Sequence, residues 1–141
     1  MWYNFSVLNV FSSIFVLLSY KRKILLLSPD IDPTGIQQHL WCLIGGEDSD
    51  PGKYEEVIYR KVKYATKLDL KNLKLLRSSS HKKNKHFYHT ELTDNEVNSI
   101  ERREGQRLEF FTLPELSKLS LTKSTEGYIN EYRNAVEQVL I

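Results

Sequence analysis

One cysteine, Cys42, stands in the whole chain of 141 residues, so no internal disulfide can form. A reducing, cytoplasmic setting is expected from that usage. Cys42 lies between Trp41 and Leu43 in an apolar run and reads as a small buried hydrophobe, not a nucleophile. One cysteine and four histidines at no ligand spacing give a structural zinc site no support. Charge of one sign is scarce as well: 20 Lys and Arg against 18 Asp and Glu leave a net +2, too little to argue for nucleic acid by itself. Long apolar runs are missing. The richest stretch, Phe5 to Tyr20, is interrupted by Ser6, Asn9, Ser12 and Ser13 and falls short of the ~20 residues a spanning helix needs. Basic residues follow it (Lys21, Arg22, Lys23) instead of preceding it, and no small-residue cleavage site appears, so core strands are expected there and not a signal peptide. No membrane partner is expected.

What is present suits one globular domain over residues 1–141: 40% hydrophobic and 27% charged residues bound a real core. Val7 to Val10 and Ile14 to Ser19 read as strands, with Lys21-Arg22-Lys23 as a turn and Ile24 to Leu27 as the returning strand. Pro29 to Gly35 reads as a loop, and Leu40 to Ile44 as a short strand delivering the pair Gly45-Gly46. An acidic loop, Glu47-Asp48-Ser49-Asp50, follows, with Asp50 as a cap and Pro51 in the first turn of a helix over about Lys53 to Thr66. Val57, Ile58, Val62 and Ala65 give that helix an apolar stripe. Leu70 to Leu76 and His86 to Leu92 are expected as strands flanking a basic hairpin tip, Ser78 to Lys85. Thr93 to Arg103 is a charged connection with a helical turn, and Leu108 to Thr112 another strand. A short helix starts at Leu113-Pro114, and a last helix runs over about 125–139 with Ser124 as its cap. Strand hairpin, helix, strands and C-terminal helix together suit an α/β fold, a mixed sheet with helices on both faces.

The stretch GGEDSDPGKYEEVIYRKVKYATKLDL, from Gly45 to Leu70, carries the most specific signal. Gly46 and Arg60 stand fourteen positions apart, and Val62 and Leu68 are bulky aliphatics. This resembles the Nudix box, G-x5-E-x7-R-E-U-x-E-E-x-G-U, over residues 45–68. The acidic places are substituted: Gly52 for the first Glu, Lys61 for the Glu after Arg, Tyr64 and Ala65 for the Glu pair, and Lys67 for the last Gly. Trp41 before the glycine pair is similar to the family's W-x-x-P-G-G, with Ile44 in the place of Pro. Glu104-Gly105-Gln106, Phe110-Phe111 and Leu113-Pro114-Glu115-Leu116 are similar to its E-G-Q, W/F-F and L-x-E-L segments. The resemblance implies an α/β/α sandwich related to hydrolases of nucleoside diphosphates linked to another moiety.

In that family the box helix presents carboxylates that hold Mg2+ against a substrate diphosphate. Mg2+ takes oxygen ligands at ~2.0–2.1 Å and is bound through carboxylates and phosphates. Here the corresponding face reads Val57, Lys61, Tyr64 and Ala65. Glu56 and Glu55 cannot replace them easily, lying ~140° and ~120° around the helix from Lys61. The resemblance implies Glu104 as the one family carboxylate kept, a ligand or general base; its ordinary reading is a surface Glu beside Arg102 and Arg103. Glu47, Asp48 and Asp50, with Glu56, form the other acid set that could rebuild a metal site. Gly45, Gly46, Arg60 and Lys61 are the candidate ligand-binding residues, with Lys61 supplying positive charge to a phosphate or simply filling an exposed place. His81, Lys82, Lys83, Lys85 and His86 form a basic rim or a solvated tip.

Three functions stay open. The first is binding of a nucleotide-like or phosphorylated ligand with weak or no hydrolysis and no cofactor. The second is a pyrophosphohydrolase dependent on Mg2+ or Mn2+, using Glu104 and the 47–50 acidic loop. The third is an RNA or protein interaction module. A homodimer is left open as well.

Overall fold

The computed structural model of the chain describes residues 12–29, 40–48, 53–80 and 84–141. The expected strand at Val7 to Val10, the loop at 30–35, Asp50, Pro51, and His81, Lys82 and Lys83 of the hairpin tip lie outside the described residues.

The sheet is built around β1 (Ser12–Tyr20), whose Ile14, Val16 and Leu18 alternate with Phe15 and Leu17. Both sets are buried, so this strand is covered on both faces. A two-residue turn leads from β1 into β2 (Lys23–Pro29). Lys21 and Arg22 both take positive φ, 48° and 67°, the pair of left-handed conformations that a type I′ hairpin turn requires. The N-terminal half of β1 pairs antiparallel with β3 (Ile44–Asp48). Its other edge pairs in parallel with β5 (Asn84–Glu91). Beyond β5 lies β4 (Lys74–Ser79), and beyond β2 lies β6 (Gln106–Phe111). The six strands run β4-β5-β1-β2-β6, with β3 beside β1.

On one face lies α1 (Tyr54–Thr66), whose Val57, Ile58, Val62 and Ala65 pack on Ile14, Val16 and Leu18. Charged residues at 93–103 form α2 (Asp94–Ser99), opened by a reciprocal cap in which Thr93 and Glu96 satisfy each other's backbone. The opposite face carries α3 (Leu113–Leu116), α4 (Lys123–Glu131) and α5 (Arg133–Val139). Tyr128, Ile129 and Val136 bury against Phe15, Leu17 and Phe87. The Tyr128 hydroxyl donates to the Ser13 carbonyl at 2.7 Å, and burial pushes its pKa up to about 12. Helices on both faces of a mixed sheet make this an α/β/α sandwich. Among the described residues no helix is long and apolar enough to cross a membrane.

Five expectations are corrected. Leu40 to Ile44 is not a strand. Trp41 and Cys42 bond instead to different segments, Trp41 to Ser120 and Thr122 and Cys42 to Leu27. The strand begins at Ile44 and contains the glycine pair, so Glu47 and Asp48 end a strand and do not belong to a loop. Leu70 to Leu76 is rich in leucine for another reason: Leu68 and Leu70 plug the core from irregular backbone, and β4 starts only at Lys74. The last helix is two, broken at Tyr132, whose ring is held 5.9 Å from Phe87 and 5.8 Å from Tyr128. Its cap is Thr122, which accepts from the Thr125 N–H, and not Ser124.

Candidate functional site

The helix α1 sits with its apolar stripe on the sheet and Glu55 and Glu56 exposed in its first turn, where the helix dipole favours negative charge. It ends at Lys67, which takes a left-handed φ of 67° and returns its N–H to the Lys63 carbonyl at 2.9 Å. That is the conformation glycine normally supplies at a helix end. Lys67, at the place of the box pattern's last Gly, therefore holds a backbone conformation that favours glycine.

The glycine pair lies one layer below. A Cβ on Gly45, at φ +152°, would overlap the Ile14 carbonyl and stand 2.6 Å from the Phe15 Cα, so β3 can approach β1 only without a side chain there. Gly46 has a different neighbour. The Lys61 Nζ lies 3.6 Å from the place a Gly46 Cβ would take. The structure thus brings Lys61 and Gly46 together, whereas Arg60 points to solvent on the same helix. Glu47 is exposed opposite Ser13 of β1, and Asp48 closes the strand opposite Ser12.

The Glu104 loop meets α1 at its C-terminal turn. The Gln106 side-chain amide donates to the Ala65 carbonyl at 3.0 Å, and the Glu101 N–H to the Thr66 carbonyl at 2.9 Å. Gly105 turns the chain at φ +86°. Arg103 reaches over the Tyr64 ring, its guanidinium carbon 3.9 Å from the centroid. Glu104 is exposed and has no side-chain partner among the described residues. Sequence reasoning treated Arg103 only as a neighbour of Glu104 and missed its contact with Tyr64. The one available signal was an aromatic residue, Tyr64, at the edge of the helix face that also carries Val57 and Ala65.

Val57 and Ala65, half of the helix face on which no carboxylate was expected, are buried in the core. Lys61 and Tyr64 remain at the surface. An ammonium and a phenol offer no carboxylate oxygens, so a hard divalent ion does not fit this face. Among the described residues no three His, Cys, Asp or Glu side chains converge as metal ligands.

The basic rim loses two of its members. Lys85 pairs with Glu131 at 2.7 Å and lies over the Tyr128 ring. His86 stacks on Tyr54 with ring centroids 4.1 Å apart, and burial holds its pKa below the ordinary value. Tyr54 in turn hydrogen-bonds Ser12 at 3.0 Å. Strand pairing, not charge, places both residues: β5 alternates between the two packed faces.

An α/β/α sandwich in which a glycine-bearing strand leads to a helix, and a later loop straps the end of that helix, is the Nudix fold. The solved structures similar to this chain agree. A MutT from a study of Aliivibrio salmonicida and Vibrio cholerae has 11% identity and a TM-score of 0.67, covering 91% of this chain and 98% of its own. The MutT Nudix hydrolase of Burkholderia pseudomallei has 19% identity and a TM-score of 0.60, covering 91% and 96%. The Nudix domain of Shewanella oneidensis NrtR, complexed with ADP ribose, has 16% identity and a TM-score of 0.58, covering 86% and 85%. At such identities the likeness shows the fold. No protein-family model and no curated protein matches the sequence.

Proposed function

We propose that the chain binds a nucleotide-like or otherwise phosphorylated small molecule on the face shared by α1 and β3, and hydrolyses it weakly or not at all. One observation carries the reading: the Lys61 ammonium lies across Gly46, where the box pattern would put a carboxylate. An ammonium carries three donors and binds phosphate as a point charge. Gly46 adds no side chain between that ammonium and the strand. Neither group activates water as a divalent ion does. The similar domain complexed with ADP ribose supports this class of ligand.

Calorimetry with ADP ribose, with and without Mg2+, tests it. Binding is expected to be independent of metal and to weaken at least about tenfold in Lys61→Ala, the loss of one charge-assisted contact. Turnover is expected well below ~1 s⁻¹. Ordinary turnover, or an absolute need for Mg2+, overturns the reading. Lys61→Glu combined with Tyr64→Glu should create Mg2+ binding. Ala65→Glu is left out because Ala65 is buried and a carboxylate there would be desolvated.

A hydrolytic reading has one observation of its own: the loop of Glu104 is tied to α1 through Gln106. It requires Mg2+- or Mn2+-dependent product release that Glu104→Gln abolishes, with Glu47, Asp48 or Glu56 completing the ligand set.

A further inference from the structure

Tyr64 is a large aromatic residue left 63% exposed, although a guanidinium covers one face of its ring. The other face is therefore open to solvent. Lys61 lies one helical turn earlier, and residues three apart on a helix are neighbours with Cβ atoms about 5–6 Å apart. A phosphate-binding cation and an open aromatic face thus stand side by side on α1. Arg103 is fixed to this place through its own loop, since Glu101 and Gln106, on either side of it, bond to the last turn of the same helix. The ring has a backing that limits its rotamers before any ligand arrives, which lowers the ordering cost of binding.

We infer that Tyr64, backed by Arg103, is a stacking platform for a planar heterocyclic base on the same ligand whose phosphate meets Lys61. This rests on the phosphate-binding reading above and narrows it to a base-bearing ligand. Stacking suits the geometry because an aromatic face accepts any flat π-system without needing hydrogen-bond partners. The platform occupies a position where the box pattern has an acid, so the same substitution that removes metal affinity supplies base affinity.

The test compares ADP with inorganic pyrophosphate, which has the phosphates and no base, by calorimetry on the full chain. Tyr64→Ala is expected to weaken ADP roughly 5- to 150-fold, the range for loss of one base–aromatic stack, and to leave pyrophosphate unchanged. Tyr64→Phe is expected to keep ADP binding, because the ring and not the hydroxyl is used. Lys61→Ala should weaken both ligands. Equal loss of both ligands in Tyr64→Ala, or no loss of either, overturns the platform while leaving the phosphate site standing. Failure of pyrophosphate and ADP alike to bind the unaltered chain, or binding indifferent to Lys61→Ala, overturns the phosphate site and the platform with it. Tyr64 is exposed and outside the core, so its replacement does not threaten folding, which circular dichroism verifies.

Discussion

Gln106 holds the end of α1 by donating from its side chain to the Ala65 carbonyl, 3.0 Å away and 41 residues earlier in the chain. The bond satisfies a carbonyl in the last turn of a helix, where no intrahelical partner exists. It also sets where Glu104 and Arg103 stand relative to Lys61 and Tyr64. Gln106→Ala is expected to lower stability by about 1 kcal/mol. It should also speed hydrogen exchange at residues 103–105 more than elsewhere. Uniform exchange across the chain would show that the bond does not anchor the loop.

Lys67 bears the cost of a left-handed backbone, about 1–2 kcal/mol for a residue with a Cβ. Glycine would remove that strain and add flexibility to the unfolded chain, at about 0.5–1 kcal/mol. Lys67→Gly is therefore expected to stabilise by about 0.5–1 kcal/mol in urea unfolding. A loss of stability would mean that the lysine side chain contributes more than its backbone costs.

The two glycines of β3 should respond differently to a methyl group. Gly45→Ala sets a Cβ against the Ile14 carbonyl and the Phe15 backbone, atoms that move only with β1 itself. A loss of about 3 kcal/mol or more is expected. Gly46→Ala meets only the flexible end of Lys61, so it should unfold at a higher urea concentration than Gly45→Ala. Equal midpoints would contradict the packing of β3 on β1.

Stability should fall in mild acid. His89 bonds to the Ser19 hydroxyl at 2.8 Å, and burial, only partly offset by Glu91, pulls its pKa below the ordinary 6.5. Burial lowers His86 too. The unfolded chain then binds more protons than the folded one below pH ~6.5, so stability is complete above that pH and declines as pH drops toward the folded pKa values. His89→Gln should flatten the melting temperature between pH 7 and 5. An unchanged slope would show that His89 is not a source of it.

Much of the architecture was legible. A turn after the first strand, the apolar stripe of α1 and the Pro-opened helix at Leu113 were visible as local patterns, because each depends on neighbours within a few residues; the cap of α1 was not, since Lys53 and not Asp50 stands at its N-cap. The shifted β4, the strand carrying Gly45-Gly46 and the break at Tyr132 were not. A leucine-rich stretch such as Leu70 to Leu76 reads the same whether it pairs in a sheet or plugs a core from irregular chain, and only the packing decides. Charge was deceptive in the same way: Lys85 and His86 looked like a basic rim, yet strand alternation turned one to Glu131 and the other onto Tyr54.

By itself the order of residues determined a two-sided sheet, an amphipathic helix after a glycine pair, and a helix face stripped of carboxylates, since all three follow from side-chain chemistry at fixed spacing. Tertiary structure decided which residues share that face. Lys61 meets Gly46 and Arg103 covers Tyr64 only because β3 and the Glu104 loop are folded against α1 from distant parts of the chain, and no local period encodes contacts of that range.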